Sequence, residues 1–168
     1  MPPNTTHSPP PYSLHRAAPA DLPAILALLQ SLGEQHIAYD PGRWTLSPSL
    51  PEAYRNWLEN NHDESDVFCL LAQSSSGQPL GYVLAQAMPE DAKYFTAAHV
   101  YIHDIYLAPA ARGTGLAADL LARVRTWGTA RGLRSFRALI ATPNAQSLAF
   151  FAKHGFRPTA TEVSQEWL

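Results

Sequence analysis

Arg112-Gly113-Thr114-Gly115-Leu116-Ala117-Ala118 is the stretch on which the reading of this chain turns. It follows the run Ala98–Leu107, rich in β-branched and aromatic residues. It opens a stripe of Leu116, Leu120, Leu121, Val124 and Trp127 at helical spacing, which Gly132 ends. Two glycines let the backbone turn sharply and let a bulky anion come close. The first N–H groups of a helix have no internal partner, and the helix dipole adds positive potential there. A phosphate or pyrophosphate meets that need, and the small Ala117 and Ala118 leave its approach clear. A dinucleotide-binding turn is one reading, because Gly113 to Ala118 has the form G-x-G-x-x-G/A. Against it, the loop Ala108–Arg112 intervenes after the strand, and only about fifty residues remain for a doubly wound fold. Arg134 and Arg137 stand where an acidic ribose partner belongs. A nucleoside-triphosphate loop is excluded by the missing Gly-Lys-Ser/Thr ending.

Upstream, Tyr12–Arg16 reads as a first strand. Asp21 and Pro23 mark a helix start, the aspartate capping free N–H groups, and Leu22, Ile25, Leu26, Leu29 and Leu32 form its apolar face. Gly33 reads as its stop. Gln35–Pro48, carrying Tyr39, Arg43 and Trp44, reads as a loop lying over something, and Leu50–Asn60 as a second helix. Val67–Ala72 and Leu80–Ala87 are strands joined through the turn-rich Ser74–Gln78. Downstream come a strand over Ser135–Ala141, a helix over Asn144–His154 closed by Gly155, and a last strand over Thr161–Trp167. This order predicts an α+β sandwich around a mixed, mostly antiparallel sheet of six to seven strands flanked by four helices.

The 168 residues suit one domain over 12–168, preceded by a disordered tail over 1–11 that holds five of the fifteen prolines. A hydrophobic share of 46% and a charged share of 15% are those of an ordinary globular protein. A net charge of −2 gives no reason to expect nucleic acid or an anionic membrane as partner. No apolar run reaches the roughly 18 to 20 residues that cross a bilayer, and Met1–Pro11 lacks the pattern of a secretory signal. The lone Cys69 lies in an apolar strand, where it reads as a core thiol, and a single cysteine suits a cytoplasmic location.

Arg112-x-x-Gly115-x-Ala117 matches the Q/R-x-x-G-x-G/A signature of the GNAT (Gcn5-related) N-acetyltransferases, and its setting matches too. The strand Ile102–Leu107, the bend at Pro109 and the amphipathic helix precede and follow it as in that family. Asn144 through Gly155-Phe156 resembles the family's second motif, an Asn-headed helix closing in Gly-Phe. The resemblance runs from about Tyr12 to the C-terminus. It implies a GNAT-like fold and transfer of an acetyl group from acetyl-CoA (coenzyme A) to a primary amine, of a small molecule, by direct attack.

By this resemblance, main-chain groups of Ile105, Tyr106 and Leu107 hold the pantetheine and acetyl group, and a backbone N–H there polarises the thioester carbonyl. Arg112, Gly113, Thr114, Gly115, Leu116, Ala117 and Ala118 supply the pyrophosphate cradle, and Asn144 the second-motif contact. Lys153 either meets a cofactor phosphate or is a solvated surface lysine. Attack needs a neutral amine, and an alkylamine titrates near ~10, so a base must act. His103 stands on the central strand where many relatives place an acidic residue, and an imidazole titrating near ~6.5 suits the task. Strand alternation places Asp104 on the opposite face, where it orients a side chain or attracts a cationic acceptor. Phe151 occupies the position of the family's proton-returning tyrosine. A thiolate leaves tolerably without help, and water or Tyr106 could serve as the acid. Phe151 also keeps open a non-catalytic acyl-CoA-binding sensor, and a dinucleotide-dependent reductase is a third reading. Tyr39, Trp44, Tyr82 and Tyr101, with Tyr54 and Trp57, are aromatic candidates for the acceptor side. A homodimer is a common assembly in such families.

Overall fold

The structure is a computed structural model and describes residues 11–165. Its elements are β1 (Tyr12–Arg16), α1 (Leu22–Tyr39), α2 (Leu50–Glu59), β2 (Val67–Ser74), β3 (Pro79–Met88), β4 (His99–Leu107), α3 (Leu116–Ala130), β5 (Phe136–Ala138) and α4 (Ala145–Lys153). The strands lie in the order β1-β2-β3-β4-β5. The first three pairings are antiparallel, and β4 runs parallel to β5, as the intervening α3 crossover requires.

The sheet is covered on both faces, so its inner strands are apolar at nearly every position. On β2, Phe68, Leu70 and Ala72 join the core beneath α3, with Val83, Ala85, Val100 and Ile102. Val67, Cys69 and Leu71 join the other core, beneath α1 and α2, with Tyr82, Leu84 and Tyr106. Helix α3 approaches the sheet closely at Gly128, where a Cβ would meet Val100 Cγ2 at 2.5 Å and Phe136 Cε1 at 2.9 Å. Cys69 is fully buried, and burial pushes its thiol well above the ordinary range.

Several expectations change. Five strands form among the described residues: Thr161–Gln165 carry no strand, and Trp167 lies outside the described residues, as do residues 1–10 of the Pro-rich tail. Gly33 does not stop α1. It lies inside the helix because Leu46, from the segment before α2, packs where a Cβ would stand. The helix runs to Tyr39 and ends at extended Asp40, since the following Pro41 disfavours helical geometry there. The expected loop over 35–48 is therefore helical through residue 39. Asp21 does not cap α1; its carboxylate accepts from the Ala18 N–H at 2.9 Å and pairs with His15 at 3.1 Å. Helix α3 begins at Leu116 rather than near Gly113.

The consequential departure lies in β4. Leu84 of β3 pairs with Asp104, but the next residue, Ala85, pairs with Ile102. His103 is the extra residue of a β-bulge, which bends its strand and breaks the two-residue alternation. Beyond Ile102, β4 and β5 part: their pairing covers only Val100–Ile102 against Phe136–Ala138.

Candidate active site

The loop after β4 begins with a short 3-10 turn at Pro109–Ala111 and passes through Gly113 and Gly115, both with positive φ (77° and 89°). A side chain at either position would be strained although nothing would block it. The Thr114 hydroxyl donates to the Ala111 carbonyl at 2.7 Å and closes the turn. The first α3 bonds in this corner run from Ala118 and Asp119 to the Gly115 carbonyl. Among the described residues, the N–H groups of Gly113, Thr114, Gly115, Leu116 and Ala117 donate to no protein acceptor. Five free donors at one helix start form a cradle suited to a polyanion, and a pyrophosphate fits its donor set.

Beside the cradle, Ile105, Tyr106, Leu107, Arg112, Gly113 and Ala117 line a cavity of about 190 Å³, faced by Asn144, Ser147 and Phe150 of the α4 region. Asn144 accepts the Ser147 N–H at 3.0 Å, capping α4, and is nearly buried. Arg112 lies over the Tyr106 ring, 5.9 Å from its centroid. Leu116 is fully buried, so only its main chain belongs to the cradle. Lys153 is exposed in the last turn of α4 and lines neither cavity.

A second cavity, about 380 Å³, shares Leu32, Ile105, Asn144 and Ser147 with the first. It passes through the gap where β4 and β5 part, bounded there by Ile102, Ala138, Leu139, Ile140 and Phe151, and opens beneath α1 and α2. Phe151 is 4% exposed and belongs to the α3-side core, so no hydroxyl stands at this point of the wall.

On the α1/α2 side the bulge overturns one expectation. His103 and Asp104 do not face opposite ways; both meet α2. The His103 ring lies 5.1 Å from that of Trp57 and 4.9 Å from that of Tyr101, and the Tyr54 hydroxyl donates to Asp104. His103 Nε2 lies 3.2 Å from Gln86 Oε1, and in the tautomer that donates there Nδ1 carries the lone pair. Burial pushes the His103 imidazole below its ordinary value, leaving it unprotonated at neutrality. Burial raises the Asp104 carboxyl above the ordinary carboxylate range, although the Tyr54 hydroxyl opposes the shift. What surface Asp104 retains is toward the cavity. Around it, burial and the Asp104 charge raise the Tyr54 and Tyr82 phenols far above 10.

Of the aromatic candidates, Trp44 and Tyr101 line this cavity, as do Tyr54 and Trp57. Tyr82 is fully buried beneath the floor, its hydroxyl near Asp104 but without a well-formed hydrogen bond. Tyr39 packs its ring edge against His36 and accepts from Gln35 at 2.6 Å, away from the cavity wall. His36 and Ser147 line the site without having been singled out from the sequence. Spacing could have marked both: His36 falls one turn after Leu32, and Ser147 shares a helix face with Asn144 and Phe151.

The profile of the Acetyltransferase (GNAT) family matches residues 29–156. A phosphinothricin N-acetyltransferase of Streptomyces coelicolor is 28% identical over 134 residues, covering 79% of this chain and 77% of that protein. Among solved structures, a tetramutant of the BH1408 protein of Bacillus halodurans superposes with a TM-score of 0.80 at 14% identity, over 92% of this chain and 99% of that one. An aminoglycoside N-acetyltransferase in complex with CoA superposes with a TM-score of 0.68 at 18% identity, over 93% of this chain and 94% of that one. The matched span runs from within α1 past the end of α4, and the chain belongs to the GNAT acetyltransferase family.

Proposed function

We propose that this chain is an acetyl-CoA-dependent N-acetyltransferase of a small primary amine. The observation that carries the reading is the pair of joined cavities: one beside five unpaired main-chain donors, the other holding a neutral imidazole and a buried carboxylate. Acetyl-CoA, when bound, supplies the acetyl group as a thioester. The N–H groups of Gly113 to Ala117 bind its pyrophosphate, with Arg112 and Ala118 flanking them. Main-chain groups of Ile105, Tyr106 and Leu107, unpaired toward β5, hold the pantetheine arm, and Asn144 closes the gap from α4.

On the acceptor side, Asp104 draws in the ammonium and His103 Nδ1 takes the proton that must leave before nitrogen can attack. In the tautomer that donates to Gln86, that lone pair is available. The wall at Phe151 offers no acid, so the thiolate takes its proton from water or from the Tyr106 hydroxyl. Phe151 is also the observation that favours a second reading, a sensor that binds acyl-CoA without turnover.

Thiol release from acetyl-CoA with an amine panel separates the two. Gly115→Glu tests the cradle: the left-handed φ strains the backbone and a carboxylate repels the pyrophosphate. The variant should lose CoA binding, and unchanged CoA affinity would refute the loop assignment. Thermal protection by NADPH but not by CoA would replace the reading with a dinucleotide-dependent one.

A further inference from the structure

The acceptor half of the larger cavity has a chemistry of its own. Its walls are aromatic and aliphatic: Trp44, Tyr54, Trp57 and Tyr101 face Leu29 and Leu50. Asp104 is the one formally charged side chain that lines it, and among the described residues no lysine or arginine does. The titratable groups around Asp104 are His36 from α1, Tyr54 from α2, Cys69 from β2, Tyr82 from β3, and Tyr101 and His103 from β4. His36 Nδ1 is tied to the Leu32 carbonyl at 2.9 Å. Arg43, over the Trp44 ring, lines no part of the cavity and is paired with Glu162 at 2.9 Å; the two act on Tyr101 with opposite signs.

Resting on the acetyltransferase reading, we propose that the acceptor is a small monocationic amine with an apolar, arylalkyl body, and that amino acids and polycations are rejected. An ammonium meets one carboxylate and aromatic faces, the two partners that hold a desolvated cation. A substrate carboxylate or phosphinate would enter the same space with no cation to meet it and Asp104 to repel it. A polyamine would leave its further charges against apolar walls. The cavity itself measures about 380 Å³, part of it the gap between β4 and β5, room for a small acceptor. Both classes named for the relatives, phosphinothricin and aminoglycosides, therefore suit this pocket poorly.

The test compares matched acceptors in the thiol-release assay with the full chain and acetyl-CoA. Phenethylamine and phenylalanine differ only in the carboxylate; phosphinothricin and spermidine complete the set. The expected kcat/KM for phenethylamine exceeds that for each of the others by about 100-fold or more, the scale of a charge buried without a partner. Hydrocinnamate, which keeps the carboxylate and lacks the amine, should not inhibit, whereas N,N-dimethylphenethylamine should compete with the acceptor. Preference for phenylalanine, phosphinothricin or spermidine overturns the acceptor class and leaves the acetyltransferase reading standing. No thiol release from any amine, with acetyl-CoA still bound tightly, overturns both.

Discussion

If His103 acts as proposed, replacing it by asparagine removes the base and keeps a polar side chain beside Gln86. The loss can be worked from the acceptor's own ionisation. An alkylamine titrates near ~10.4, so at pH 7.4 about one molecule in 10³ is the free base. A variant without the base reacts only through that fraction, which sets its pH dependence, and its kcat/KM for the amine should fall by about 10²- to 10⁴-fold, the range of general-base effects. Its rate should then rise about tenfold per pH unit toward pH ~10, as hydroxide does what the imidazole did. The native enzyme should behave otherwise. Burial holds the His103 imidazole below its ordinary value, so its rate should climb through a pKa below ~6.5 and stay flat across neutrality. The substitution also gives up ring contacts with Trp57 and Tyr101, which lie on the acceptor side, so the KM for acetyl-CoA should hold within about threefold. The assay is thiol release at saturating acetyl-CoA from pH 5.5 to 10. Two parallel pH profiles, offset by a constant factor, would show that asparagine disturbed the pocket without removing a base, and would refute the assignment.

Two further substitutions should move stability in opposite directions. Asp104→Asn removes a carboxyl whose folded pKa is raised by burial, so the native state holds that proton more tightly than the unfolded chain. Its ionisation therefore costs stability as pH rises above the ordinary carboxylate value, and the cost is complete once pH passes the raised folded pKa. The variant, whose amide oxygen can still accept from Tyr54, should melt above the native protein at pH 8, with the gap closing near pH ~4; a lower Tm at pH 8 would contradict this. Asn61→Ala should do the reverse. That side chain is nearly buried and bonds the Ala17 and Cys69 carbonyls at 2.6 and 2.9 Å, the Cys69 N–H at 3.0 Å and Arg16 Nε at 2.6 Å. Leaving such groups unpaired costs about 2–4 kcal/mol, or roughly 5–15 °C in Tm, with kcat unchanged; a fall under about 2 °C would mean that water replaces these bonds.

How far the sequence carries depends on the range of the interaction that decides each feature. The Arg112–Ala118 loop was legible because its physics is local: glycines at positive φ, then a helix start. Strands β2, β3 and β4 were legible because burial on both faces writes continuous apolar runs. Gly33 misled because glycine at a helix end and glycine under a neighbouring chain look alike in one dimension, and only the seat of Leu46 distinguishes them. Asp21 misled similarly: an aspartate before a helix can turn forward to its N–H groups or back to a 3-10 turn, and here it turns back. The strand expected over Thr161–Trp167 has only Val163 and Trp167 as apolar residues, and no strand forms over Thr161–Gln165.

The bulge at His103 belongs to the long-range class, and the site depends on it. In a regular strand, neighbouring side chains face opposite sides, so a base and an ammonium-binding carboxylate at adjacent positions could not serve one acceptor. The slip between Leu84 and Ala85 removes that restriction and turns both His103 and Asp104 toward α2, where Trp57 and Tyr54 receive them. Beyond Ile102, β4 has no pairing with β5, which ends at Ala138. One inserted residue thus accounts for the convergence of the two polar groups, while the gap that joins the cavities lies where the β4–β5 pairing ends. Nothing in the sequence of β4 by itself encodes this, because the register of a bulge is a property of two strands. Deletion of His103 should therefore cost the imidazole and leave the other faces of β4 as they are: Ile102 lies in the α3-side core and Asp104 meets α2, so closing the bulge restores a regular ladder against Leu84 and Ala85 with neither residue turned over.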